Sequence, residues 1–250
     1  MTAELVGCAC AWLAASAASY RCGARLAGSK GATWKSRLED MDKILLSPYF
    51  AAVGILALYA SFELSDSVES RWRGSTRASR VASLLYCVKM ASDVPVQWFT
   101  LANEPAKRLQ MTAHHALSFV AIGNGLFFRR MQFFACLAMC SEVTTVFLNA
   151  VMALKHFTDT SKGPAKFAVT ASGLLLWLTY VVFRLFLFPC WFYVFVTDSL
   201  ERTSETWSTI SVFEQIFDPC VIALLLFLSV LWFGKITQGL LKALRPRKKQ

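Results

Sequence analysis

Long apolar runs separated by short charged stretches recur along the chain. Seven stand out, at roughly residues 2–20, 43–62, 81–101, 111–128, 131–154, 166–196 and 212–234. An α-helix needs about 20 mostly apolar residues to cross ~30 Å of hydrocarbon. Backbone amides find no water there, so a spanning run must bond them internally, and the pattern predicts helices. The expected class is an all-α, polytopic membrane protein with about seven transmembrane helices. The first run is Ala-rich and has no basic residues before it, which favours a retained anchor over a cleaved signal; Glu4 argues against a transit peptide. Pro189, inside the sixth run, is expected to end or kink it.

Composition sharpens this picture. Hydrophobic residues make up 56% of the chain, above the 45–50% usual in soluble domains. The net charge of +10 does not point to nucleic acid, because the basic residues cluster between runs and in the tail. The stretch after the first run holds Arg21, Arg25, Lys30, Lys35, Arg37 and Lys43. Lys107 and Arg108 follow the third run, and Lys155, Lys162 and Lys166 the fifth. The tail adds Lys235, Lys242, Arg245, Arg247, Lys248 and Lys249. The opposite side has only Arg71, Arg73, Arg77, Arg80, Arg129, Arg130 and Arg202. This bias places the N-terminus in the lumen and the C-terminus in the cytosol. The tail resembles a dibasic retrieval signal of the endoplasmic reticulum, the expected membrane, with another organelle as the alternative. The eight cysteines lie mostly in apolar runs without a zinc-type His/Cys set, and read as small packing residues. No metal or cofactor is expected.

Four formal charges fall within the runs: Lys89, Asp93, Glu142 and Arg184. Each costs about 2.5–3.5 kcal/mol at a bilayer centre, so each is expected to face a protein interior with a partner. Their helical neighbours form stripes. Tyr86, Lys89, Asp93 and Gln97 make one; Glu142, Thr145, Asn149 and Met152 a second; Gly173, Trp177, Tyr180, Arg184, Phe188 and Trp191 a third. His114 and His115 are adjacent, with His114 on the face of Ser118 and Gly125. These stripes either lock helices together or line a polar cavity for a lipid headgroup. His114 and His115 are the catalytic candidates by residue type, since a neutral imidazole can take a proton or become acylated; Glu142 would orient it. The alternative is that they only hydrogen-bond across helices. Three histidines are too few for a di-iron His-box array.

Four stretches carry a family resemblance: MTAHHALSF (111–119), SEVTTVFLNAVMAL (141–154), FRLFLFPCWF (183–192) and LWFGKITQGLLKAL (231–244). In this order they resemble the TLC-domain family, which includes ceramide synthases, translocon-associated TRAM proteins and small lipid-homeostasis proteins. The resemblance runs from about residue 34 to 244. It implies a helical barrel of six spans, the second to the seventh, around a cavity that takes lipid chains. It divides the chain into an N-terminal anchor with its basic loop (1–30), a TLC domain (31–244) and a basic tail (245–250). Ceramide synthases carry a His-Asp-x-x-Asp cluster where Ser141, Glu142 and Thr145 stand here, so the chain looks more like the small lipid-homeostasis members.

The expected function is lipid binding or handling, through Tyr86, Lys89, Asp93, His114, His115, Glu142, Thr145, Asn149, Trp177, Tyr180 and Arg184. The substituted catalytic set argues against an enzyme. One alternative is an acyl-CoA-dependent sphingoid-base N-acyltransferase. The other is an accessory subunit of a larger membrane assembly, with Phe186, Phe188, Trp191 and Phe192 packing on partner proteins.

Overall fold

The computed structural model describes residues 2–26, 46–159 and 163–244. Among these the regular structure is helical: α1 (Thr2–Leu26), α2 (Leu46–Glu63), α3 (Val68–Arg73), α4 (Arg77–Thr100), α5 (Pro105–Phe128), α6 (Gln132–Met139), α7 (Glu142–Phe157), α8 (Gly163–Tyr180), α9 (Leu187–Glu201), α10 (Thr203–Thr206) and α11 (Val212–Leu244). Three stretches are long and apolar enough to cross a membrane by length and composition: Gln132–Phe157, Gly163–Glu201 and Val212–Leu244; Ala3–Ala18 is a shorter apolar helix. The other expected spans coincide with α2, α4 and α5. At 24 residues each, α4 and α5 are about 36 Å long, and the polar residues they turn inward dilute their hydropathy. Lys30, Lys35, Arg37, Lys43, Lys162 and the tail from Arg245 lie outside the described residues.

Several of the basic residues assigned to loops belong to helices. Arg21 lies in α1, Lys107 and Arg108 in the opening of α5, and Lys155 in the last turn of α7. Pro189 also behaves differently from expectation. The backbone changes to a π-helical turn over Val181–Phe186, and α9 then runs through the proline without a break. Leu187 N–H bonds five residues back to the Val182 carbonyl. The extra residue in that turn shifts the register just ahead of a residue that has no N–H to donate. Arg184 sits inside the turn.

Neighbouring helices pack in the order α4–α2–α7–α8–α11–α5, and α5 packs on α4; α1 lies against α4 and α2. Gly54 on α2 permits a close crossing with α7: a Cβ there would meet Val143 Cγ2 at 2.7 Å. Three connections meet at one end of the bundle. Asp198 accepts from Arg71 Nε at 2.8 Å, Arg71 Nη2 at 2.5 Å and Trp72 Nε1 at 2.9 Å. Arg130 pairs with Glu214 and donates to the Thr209 carbonyl at 2.8 Å. Met131 N–H donates to the Trp72 carbonyl at 2.9 Å. Beneath them Trp72, Phe134, Trp191 and Phe195 form an aromatic cluster, Trp191 stacked on Phe195 with centroids 4.9 Å apart. Phe188 and Trp191 are therefore core residues at 1% and 2% exposure, not the surface aromatics that an accessory-subunit reading requires; Phe186 is exposed. They share the inward face of Arg184, which the helical period places away from Phe186.

Candidate polar chamber

The 3.6-residue period puts Lys89, Asp93 and Gln97 on one face of α4, and all three line the same cavity. Lys89 Nζ donates to the Asp93 carboxylate one turn along, and both are buried. The ammonium also lies 5.3 Å from the Trp12 ring and 5.2 Å from the Phe50 ring. A buried charge survives in low dielectric only when paired and hydrogen-bonded, and two aromatic faces add to the pairing. Trp12 comes from α1, so the first helix contributes to the core.

Opposite this pair, α5 brings His115. Its Nδ1 is 3.3 Å from Asp93 Oδ2 and 3.1 Å from Gln97 Nε2. Gln97 Oε1 is buried without a partner, so turning the amide over lets that oxygen and Asp93 share one Nδ1–H. In that tautomer Nε2 of His115 is left as an acceptor. The carboxylate that faces His115 is thus Asp93, where Glu142 was expected. His114 lies beside His115, ring centroids 5.1 Å apart, and edge-on to Trp232 with centroids 6.0 Å apart, its Nδ1 buried and unpartnered.

From α7, Glu142 accepts a hydrogen bond from Thr145 Oγ1 at 2.9 Å; from the π-helical turn, Arg184 Nε donates to Thr144 Oγ1 at 2.9 Å. Asn149, two turns beyond Glu142, is buried on the same face.

These groups surround a cavity of about 190 Å³. Lys89, Asp93, Gln97, His114, His115, Glu142, Thr145, Asn149 and Arg184 line it, with Phe50, Leu148 and Trp232 among its apolar walls. A narrower cavity of about 40 Å³ adjoins it. Tyr86, Ser118, Gly125, Phe134, Phe188, Trp191, Asp218 and Ile222 line that one, and His114, Glu142 and Arg184 border both. His114 and Gly125, about 16 Å apart along the axis of α5, both line the narrow cavity.

Most of the residues singled out from sequence therefore converge. Tyr86 belongs to the narrow cavity. Trp177 and Tyr180 stand behind the lining: Trp177 Nε1 bonds Thr237 Oγ1 at 3.0 Å, and Tyr180 lies against the Arg184 guanidinium, 5.3 Å from its ring. Met152 faces outward, because its stripe drifts off the inner face after Asn149. Trp12, Phe50, Trp232 and Asp218 were missed. For Asp218 a signal exists. Ser211 and Glu214 form a reciprocal capping box, with bonds of 2.7 and 3.3 Å, and mark a helix start from which Asp218 projects one turn later. The aromatic residues carry no such mark.

The TLC domain model matches residues 42–238, and the chain belongs to the TLC-domain family. It is an integral membrane protein of a family concerned with lipid metabolism or handling. No curated protein and no solved structure matches the chain.

Proposed function

We propose that this protein takes a membrane lipid between its helices and serves membrane lipid homeostasis, without ceramide synthase activity. The headgroup occupies the polar chamber and a chain runs into the narrow cavity. The observation that carries this reading is the join between the two spaces at His114, Glu142 and Arg184, where a charged, hydrogen-bonding lining gives way to Phe134, Phe188, Ile222 and Leu225. An amphiphile needs that change along its length. Seven spans, with the second to seventh forming a barrel, accord with the packing order α4–α2–α7–α8–α11–α5. An endoplasmic reticulum location, with lumenal N-terminus and cytosolic C-terminus, accords with the distribution of Lys and Arg.

The experiment is mass spectrometry of lipids that co-purify with the full chain in nanodiscs, for wild type, Glu142→Gln and His115→Ala. A lipid enriched in wild type and released by both folded variants supports the proposal; absence of any enriched lipid sinks it.

Acyl transfer to a sphingoid base is a second reading, favoured by one contact. His115 Nδ1 faces Asp93, and such a carboxylate–imidazole pair can take a proton from an attacking amine. Its test is purified protein with acyl-CoA and a sphingoid base. Amide product absent from wild type, or undiminished in His115→Ala, removes this reading.

A further inference from the structure

A third cavity, of about 280 Å³, opens between α7, α8 and α11, at the end of the bundle away from the Arg71, Arg130 and Asp198 contacts. Its walls are mostly apolar, among them Val151, Val169, Leu176, Ile236 and Leu240, and Thr170 and two lysines, Lys155 and Lys235, add the polar part of the lining. Among the described residues no carboxylate lines it. Gly173 on α8 and Gly239 on α11 both belong to this lining and leave room in it: a Cβ at Gly239 would meet nothing within 4 Å, and one at Gly173 only Leu240 Cδ1, at 3.7 Å. Both lysine side chains are exposed at its rim. Leu148 borders this cleft and the polar chamber alike.

We infer that this cleft is a binding site for one anionic phospholipid, separate from the polar chamber, with an acyl chain lying between Gly173 and Gly239 and the phosphate on Lys155 and Lys235. Charge complementarity selects the occupant. The polar chamber carries charges of both signs, whereas the charges on the described lining of this cleft are cations, set where an apolar groove meets the helix ends. Ammonium groups near a membrane surface attract anionic lipid, and the apolar walls hold a chain that a free anion lacks.

The test uses delipidated full-length protein titrated with phosphatidylglycerol or phosphatidylcholine and read by native mass spectrometry. Wild type is expected to bind phosphatidylglycerol about tenfold more tightly, the effect of two partly screened surface lysines. The variant Lys155→Gln/Lys235→Gln should lose that preference. Gly239→Leu, whose Cβ meets no atom within 4 Å, should fill the cleft and lower phosphatidylglycerol occupancy with both lysines present. A preference that survives the double substitution overturns the proposal, as does binding indifferent to Gly239→Leu. Glycerol phosphate should not displace the lipid; full displacement would mean a site for free anions and also overturn it.

Discussion

His115 on α5 and Asp93 on α4 meet with Nδ1 3.3 Å from Oδ2, and the same carboxylate takes the ammonium of Lys89. One acid thus serves two bases, one on its own helix and one across the α4–α5 interface. Removing the acid breaks the buried Lys89–Asp93 ion pair, and breaking a buried pair costs about 3–5 kcal/mol. Asp93→Asn should lower the thermal unfolding midpoint sharply. Lys89→Met/Asp93→Leu, which removes both charges, should recover most of the loss. Unfolding followed by intrinsic fluorescence in detergent checks this; equal damage in the single and double variants contradicts it.

Asp198 is the second acid on which the fold depends. It holds Arg71 with two bonds and Trp72 with a third, tying α3 to the end of α9. Asp198→Asn weakens the guanidinium contact and should cost about 2–3 kcal/mol, in the range for hydrogen bonds to charged groups. Arg71→Lys should cost less but still be measurable, because an ammonium cannot make the paired contact. Denaturation of both variants in the same detergent gives the order; a larger loss for Arg71→Lys would contradict it.

At Gly54 the packing tolerates no side chain. A Cβ would lie 2.7 Å from Val143 Cγ2 and 3.2 Å from the Val143 backbone nitrogen, so the helices must part. Gly54→Val should cost about 1–3 kcal/mol, typical of overpacking. Val143 follows Glu142, so the same variant should also release bound lipid. Stability and co-purified lipid, measured on one preparation, are expected to fall together.

Asp218 makes the opposite prediction. Its Oδ1 is buried without a hydrogen-bond partner on the wall of the narrow cavity. Replacing an unsatisfied buried polar group with an apolar one recovers about 1–3 kcal/mol. Asp218→Leu should therefore raise the unfolding midpoint. If it does so and the bound lipid is unchanged, Asp218 touches no polar group on the chain; if the bound species changes, that oxygen reads the far end of the lipid.

Helical periodicity is a local property, and the sequence alone determined its direct consequences: the helices α2, α4, α5, α7, α8 and α11, the stripes bearing Lys89, Glu142 and Arg184, and the sharing of one face by His114, Ser118 and Gly125. It did not determine which stripe meets which. The pairing of His115 with Asp93 in place of Glu142 depends on the rotation of α5 against α4, and no spacing within either segment encodes that. Trp12 reaches Lys89 only because α1 packs on α4, across a separation of 77 residues in sequence. The passage of α9 through Pro189 depends on a π-helical turn that also carries Arg184 inward. The tertiary structure decided these relations, because buried charges choose their partners by distance between helices, and that distance is set by packing of side chains such as Val143 against Gly54.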